Sequence, residues 1–460
     1  MPDLEATILV IFGMTGDLSR RKLLPALYNL IVMGLLDEST QIVGISRGNT
    51  TLDDVFAGTN FPQNNVDHEA LSKLRKMTDL LQIDVDSPDD YQNLKEHLAK
   101  IESEHGHPMN RLFYLSVPPS VAEPIIAKLG ESGLNTHSES GNTVRLLIEK
   151  PFGYDYASAE HLITSTAKHF NEDQLYRIDH YLAKETVQNI LAFRFNNPIF
   201  EPLWNRWHIE SIELSATETI DIEGRAQFYE QTGALRDLIQ SHLLQVLALI
   251  TMERPDSLDS EGIHASKLKA MSEITSIEPE QISGNTVRGQ YAGYTDEVDN
   301  PKSLTETYAS IKVEINNERW EGVPVILSSG KALDQKATKI CINFRPTAET
   351  KHHNVLTFRL QPNEGIELDL RVKKPGFADE IEPAHMDFSY EKHFNGDRQP
   401  DAYERVLVDA FRGDKTLFAS TGEVLESWRV VHNVLCAWKK DSSDMHKYPK
   451  GSSGPNSELL

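Results

Sequence analysis

Over the first 180 residues, short unbroken apolar runs alternate with stretches in which apolar side chains recur every three or four positions. The unbroken runs are ILVIF (8–12), QIVGIS (41–46), RLFYLSV (111–117) and VRLLIEK (144–150). Each has strand length, and the lack of polar alternation predicts strands buried on both faces. Between them, LSRRKLLPALYNLIVMG (18–34), SPDDYQNLKEHLAKIESEHG (87–106) and SVAEPIIAKLG (120–130) carry helical spacing. This alternation predicts β-α-β units around a parallel sheet.

After residue 180 the rhythm changes. One long helical pattern, TGALRDLIQSHLLQVLALITMERP (232–255), precedes six strand-like runs: VRGQYAGY, ASIKVEI, GVPVILSSG, TKICINF, VLTFRL and GIELDLRV. Successive strands with short connections predict an antiparallel sheet. Two further helical patterns follow at 401–413 and 421–440, then a polar tail from Met445 whose end, KGSSGPNSELL, is expected to be loosely held. The pattern therefore predicts an α/β unit around a parallel sheet over the first 180 residues and an α+β unit with an antiparallel sheet after them.

Charge and composition narrow the function classes. A net charge of −23 argues against general affinity for nucleic acid or anionic lipid, so an anionic ligand needs a local nest of Lys and Arg. No apolar run approaches the roughly 20 residues that cross a bilayer. After MPDLEA the chain enters TILVIFG, a strand pattern rather than a signal peptide, and a cytoplasmic location is expected. Cys341 and Cys436, the only cysteines, match neither a disulfide framework nor a metal-ligand spacing.

Five stretches carry chemistry. In VIFGMTGDLSRRKLLPAL, a strand runs into Gly13 and Gly16 opens a helix, which suits an anion held by backbone N–H groups and the helix dipole. A purely structural strand-to-helix turn would look similar. In QIVGISRG, the corner where a dinucleotide's ribose would sit carries Ser46 and Arg47 and no carboxylate, and a guanidinium suits a 2′-phosphate. Lys150 follows a buried strand and precedes Pro151, at the carboxyl end where ligands of parallel sheets gather. RIDHYLAKE (177–185) packs six ionisable groups into nine residues. A helix beginning near Asp179 would put His180 and Lys184 on one face as an anion clamp, with Asp179 pointing elsewhere. His242 lies in a largely apolar helix, where a satisfied core histidine and a general base with a carboxylate partner are both open readings.

Together these stretches resemble glucose-6-phosphate dehydrogenases. The chain has the G-x-x-G-D-L turn, EKPFG, RIDHYLAKE, a D-x-x-x-x-H helix, GKAL (330–333), QPNE (361–364) and Y-x-x-G-S-x-G-P (448–455). The resemblance runs from residue 7 to about 455 and implies an α/β N-terminal dinucleotide-binding, Rossmann-like domain over 1–178 and an α+β substrate-binding and oligomerisation domain with a large, mainly antiparallel sheet over 179–460. It implies oxidation of glucose 6-phosphate at C1 to 6-phosphogluconolactone, the first step of the oxidative pentose phosphate pathway, with hydride passing to NADP or, in some members, NAD. It makes His242 the general base and Asp179 the carboxylate that orients its imidazole. His180, Tyr181 and Lys184 would grip the sugar phosphate, Lys150 would contact the sugar beside the nicotinamide, and Glu218 and Asp237 would bind hydroxyls. Lys331 and Lys336 would complete the substrate pocket. Gly13, Thr15, Gly16, Asp17, Leu18 and Arg47, with Lys150, would belong to the cofactor side. No metal is needed, and a homodimer or homotetramer is implied. Two alternatives stay open: a dehydrogenase for another phosphorylated hexose, and a sugar-phosphate sensor without turnover.

Overall fold

In the computed structural model, residues 4–62, 66–136, 141–346, 352–394, 398–440, 444–455 and 459 are described. The chain forms two compact units, interleaved in sequence. The first comprises Met1–Gly153, Ala157–Ala183 and Pro400–Thr421; the second comprises Tyr154–Tyr156, Lys184–Gln399 and Gly422–Leu460.

The first unit is built on a seven-stranded sheet. Its strands are β1 (Thr7–Phe12), β2 (Thr40–Ser46), β3 (Thr78–Gln82), β4 (Asn110–Leu115), β5 (Val144–Ile148), β6 (Leu175–Ile178) and, far later in the chain, β15 (Phe418–Ala419). The order is β15-β6-β5-β4-β1-β2-β3. The first six strands run parallel in the doubly wound 3-2-1-4-5-6 arrangement, which places a topological switch between β1 and β4. Every residue of β1, β4 and β5 is buried, as their unbroken apolar runs require. β3 (TDLLQ) and β6 (LYRI) carry no comparable run, and the sequence pattern alone did not mark them.

The late segment 400–421 belongs to this unit because polar groups of the sheet bind it. Arg145 of β5 donates from Nη1 to the carbonyls of Ala410 and Phe411, both at 2.9 Å. Arg177 of β6 donates to Thr421 Oγ1 at 2.8 Å. The helix Ala402–Arg412 starts on a capping box at Asp401 and stops on left-handed Gly413, with Val406, Leu407, Ala410 and Phe411 buried.

The second unit carries a nine-stranded sheet. Its members are β7 (Ile209–Thr217), β8 (Thr286–Tyr291), β9 (Tyr308–Val313), β10 (Val325–Gly330), β11 (Ala337–Phe344), β12 (Val355–Gln361), β13 (Gly365–Lys373), β14 (Ile381–Ser389) and β16 (Met445–Tyr448). In the order β14-β13-β12-β11-β7-β10-β9-β8-β16, only β7–β10 and β8–β16 pair in parallel. The mainly antiparallel sheet expected from the strand succession is therefore present.

Two local expectations are corrected. The single helix read over 232–255 is broken at its start by Gly233, at φ +70°. It then winds as a π-helix over Leu235–Leu243 and as an α-helix over Leu244–Thr251. The described stretch 450–455 of the KGSSGPNSELL end is not loosely held. β16 pairs with β8, Tyr448 is buried, Gly451 N–H donates to Ala332 O at 2.7 Å and Asp334 N–H to Ser452 O at 2.9 Å. Main-chain bonds, the Tyr448 ring and the ion pairs of Lys450 with Asp221 and Glu297 hold it, which a hydrophobicity pattern does not register. Residues 456–458 and 460 of the tail lie outside the described residues. Among the described residues no helix is long and apolar enough to cross a membrane.

Candidate active site

In the first unit, the chain leaves β1 and turns on Gly13 at φ +84°. A Cβ there would collide with the carbonyl oxygen of Ser116, so the turn requires glycine on both conformational and steric grounds. Gly16 N–H and Ser19 Oγ both donate to Gly13 O at 2.9 Å. The following helix opens with a π-helical stretch, Ser19–Leu23, in which Leu24 N–H reaches back five residues to Ser19 O.

A groove runs over this turn. Gly13, Thr15 and Gly16 line one end, Ser46 and Arg47 line it past β2, and Ile83, Val85, Val117 and Val121 form an apolar wall. Backbone close to a helix start suits a pyrophosphate, and the apolar wall suits a flat base. Arg47 is exposed, with its backbone oxygen near Gln82 Nε2 (3.4 Å). The residues present therefore fit a dinucleotide. Asp17 and Leu18 lie outside the lining; Asp17 faces solvent and pairs with Arg21 Nε at 2.8 Å. Ser116, Pro118, Ile83 and Val85 were not anticipated from sequence. Their signal is position, since they follow the carboxyl ends of β4 and β3.

At the end of β5 stand Glu149 and half-buried Lys150, which precedes a cis proline. Tyr114 Oη donates to Glu149 Oε1 at 2.5 Å, and the Tyr403 hydroxyl also bonds this carboxyl. Burial pushes the Glu149 carboxyl up to about 7, against the lowering effects of the Tyr114 bond and the Lys150 charge.

Beyond β6 the helix expected from Asp179 does not form. Asp179 is buried and its Oδ1 accepts from Tyr181 N–H at 2.9 Å, while Leu182 N–H donates to Asp179 O at 3.1 Å. Residues 180–183 are therefore a turn, and the helix starts at Glu185 with Lys184 as its N-cap. The aspartate side chain offers the backbone a local partner that competes with helix. His180 and Lys184 consequently do not share a helical face. The His180 ring lies nearly parallel to that of Tyr403 (centroids 6.4 Å, 14°) and edge-on to Tyr181 at 5.2 Å.

In the second unit, Lys184 Nζ donates to Gln361 Oε1 at 2.6 Å. Gln361 sits in the QPNE stretch but was assigned no role from sequence. Glu218 follows β7, its N–H donating to Gly330 O and its carbonyl accepting from Leu333 N–H, both at 2.9 Å. Those bonds set it beside Lys331, whose buried ammonium pairs with the Glu218 carboxylate and lies 5.2 Å from the centre of the Tyr229 ring. Tyr229 is a further residue the sequence did not flag. Lys336 is exposed on the turn before β11.

Asp237 and His242 occupy the π-helical stretch, confirmed at its end by Leu244 N–H donating to Ile239 O. An α-helix would put residues five apart about 140° around the axis. With i→i+5 winding they lie close to one turn apart, so the D-x-x-x-x-H spacing brings both toward one face. Asp237 is half-buried and His242 fully buried. A half-buried carboxylate, a buried imidazole and a buried lysine paired with a half-buried glutamate can bind sugar hydroxyls and accept a proton from one of them.

Comparisons with known proteins agree along the whole chain. Residues 10–189 match the family model described as glucose-6-phosphate dehydrogenase, NAD binding domain, and residues 191–459 match the C-terminal domain of the same enzyme. A glucose-6-phosphate 1-dehydrogenase of Chlamydia muridarum is 37% identical, covering 100% of this chain and 96% of the relative. Glucose-6-phosphate 1-dehydrogenase 5, cytoplasmic, of Arabidopsis thaliana is also 37% identical, covering 97% and 89%. A solved glucose-6-phosphate dehydrogenase in complex with its substrate glucose-6-phosphate superimposes with a TM-score of 0.92 at 34% identity, over 99% of this chain and 97% of that one. The glucose-6-phosphate 1-dehydrogenase structure from Mycobacterium avium gives 0.85 at 33%, over 98% and 96%. The chain therefore belongs to the glucose-6-phosphate dehydrogenase family.

Proposed function

We propose that this protein oxidises glucose 6-phosphate at C1 to 6-phosphogluconolactone, using NADP as the cofactor. The observation that carries this reading is the superposition of 99% of the chain on a relative solved with glucose 6-phosphate. NADP, when bound, supplies the hydride acceptor. The protein's own groups do the rest. Gly13, Thr15 and Gly16 cradle its pyrophosphate and Arg47 meets the ribose 2′-phosphate, while Lys150 contacts both cofactor and sugar; Asp17 and Leu18 act on the cofactor side through the turn they complete.

On the substrate, His180, Tyr181 and Lys184 hold the 6-phosphate, and Glu218, Asp237, Lys331 and Lys336 fix the sugar ring. His242 Nε2 or Nδ1 takes the C1 hydroxyl proton, and Asp179 supports the resulting imidazolium, as a triad carboxylate does. Residues 1–178 serve the cofactor, and 179–460 serve substrate and self-association as a homodimer or homotetramer in the cytoplasm. The test follows NADPH and NADH formation by the purified protein across a panel of sugar phosphates. Efficient NADPH formation with glucose 6-phosphate alone supports the reading; preference for another phosphorylated hexose, or no turnover, overturns it.

A further inference from the structure

Glu306 lies two residues before β9 and is buried, yet none of the roles above uses it. Its Oε1 accepts from Leu235 N–H at 3.0 Å and its main-chain carbonyl accepts from Ala234 N–H at 3.0 Å. These are the first N–H groups of the π-helical stretch that carries Asp237 and His242, and helix-start N–H groups have no partner within the helix. Opposite the carboxyl stands Gly233 at φ +70°, where a Cβ would collide with the Glu306 carboxylate oxygens. The break before the helix and the acid that caps it are thus one arrangement.

The next residue reaches the other half of the sugar site. Thr307 O accepts from Lys331 N–H at 2.9 Å. Thr307 Oγ1 shares a hydrogen bond with Tyr448 Oη at 2.8 Å, and Tyr448 Oη donates to Lys331 O at 2.8 Å. The chain leading into Glu306 is itself anchored on Glu230, whose carboxylate accepts from Tyr294 Oη, Asn300 Nδ2 and Ser303 Oγ, each at 2.8 Å.

Resting on the proposed sugar-phosphate reading, we propose that Glu306 is a positioning residue. By capping the helix at Leu235 it sets where Asp237 and His242 present themselves, while its neighbour Thr307 fixes Lys331. Reach matters more than charge in such a role, because the acceptor must meet one backbone N–H in a buried place. Burial raises the Glu306 carboxyl above its ordinary range, with Arg236 and Arg288 opposing, so an uncharged acceptor of the same length is a fair substitute. Gln keeps the reach and drops the charge; Asp keeps the charge and withdraws the acceptor by one methylene.

The experiment measures kcat and KM for glucose 6-phosphate, NADP affinity, and hydrogen exchange of the peptide spanning 234–243 in the full-length protein, its Glu306→Gln and its Glu306→Asp variants. The expected result is kcat within about threefold of the parent for Gln. For Asp it is a fall of about tenfold or more with faster exchange confined to that peptide and unchanged NADP affinity. Equal kcat in all three, or an Asp variant whose exchange over 234–243 is unaltered, overturns the positioning role alone. A Gln variant as impaired as Asp also overturns it, since charge and not reach would then be what counts. Absence of turnover in the parent overturns the sugar-phosphate reading and this role with it.

Discussion

Arg47 stands exposed at the end of β2, beside the glycine turn, with no acidic residue among the described residues that line the groove. Arg47→Ala is expected to weaken NADP by about 1.5–3 kcal/mol, the worth of a hydrogen bond to a charged group, and to leave NAD nearly unchanged. The check is kcat/KM for both cofactors, and equal losses would remove Arg47 from 2′-phosphate reading. Glu149 makes a different prediction. Its carboxyl keeps its proton up to about 7 in the folded chain because burial disfavours the charge, whereas in the unfolded chain it ionises near 4.3, the ordinary value. Between those values the folded state binds more protons, so this group's contribution to stability is present at low pH and is lost as pH rises through about 7. Urea midpoints of the parent should therefore fall more between pH 5 and pH 8 than those of Glu149→Gln, whose amide oxygen still accepts from Tyr114. Parallel midpoints would show that Glu149 does not titrate there. These two residues also differ in legibility. The place of Arg47 on the groove was readable because a strand end plus a cation is a local pattern. Glu149 was not, because its partners Tyr114 and Tyr403 lie 35 and 254 positions away in the sequence.

At the scale of elements, the helices Ser260–Ser272 and Thr421–Lys440 meet through buried charges. Lys267 Nζ donates to Glu423 Oε2 at 3.0 Å, and His264 Nδ1 lies 2.8 Å from Glu423 Oε1. Lys267 and Glu423 are both fully buried. Lys267 and His264 hold the Glu423 carboxyl down to about 2 despite the opposing burial. A depressed carboxyl contributes stability that is present above its unfolded value and is lost as pH falls toward about 2. Glu423→Gln leaves the Lys267 charge buried and uncompensated, which should cost about 3–5 kcal/mol in a denaturant titration. A loss under about 1 kcal/mol would mean water or another group takes over. Strands with continuous apolar runs, β1, β4 and β5, were legible because burial on both faces demands that composition. β16 was not, since MHKY carries no apolar run and is held by pairing, by buried Tyr448 and by the Lys447 bond to Gln290. The turn at 180–183 misled for a related reason. Helical spacing was present in RIDHYLAKE, but the Asp179 side chain took the Tyr181 amide and ended the strand in a turn instead.

For the molecule as a whole, a net charge of −23 sets a general repulsion against an anionic sugar and an anionic cofactor. On the proposed reading, binding of both depends on a few placed side chains, Lys150, His180, Lys184, Lys331 and Arg47. Lys184→Ala should raise KM for glucose 6-phosphate about ten- to hundredfold while changing KM for NADP little. Unphosphorylated glucose should be a poor substrate for parent and variant alike, and equal losses toward both sugars would remove Lys184 from the phosphate clamp. The family, the two sheets and most of the proposed site residues were visible in short motifs. The interleaving of the compact units was not, because segment 400–421 joins the first sheet through Arg145 and Arg177, and no local pattern announces such bonds. The central claim is that His242 removes the C1 proton of glucose 6-phosphate while the cofactor is reduced. The most direct measurement is steady-state NADPH formation by the parent and by His242→Asn at saturating NADP. The account predicts turnover in the parent and a fall in kcat of about 10²–10⁴-fold in the variant, with KM little changed. A variant that keeps more than about a tenth of the parent's kcat would contradict it, because general-base catalysis of that size cannot be lost unnoticed.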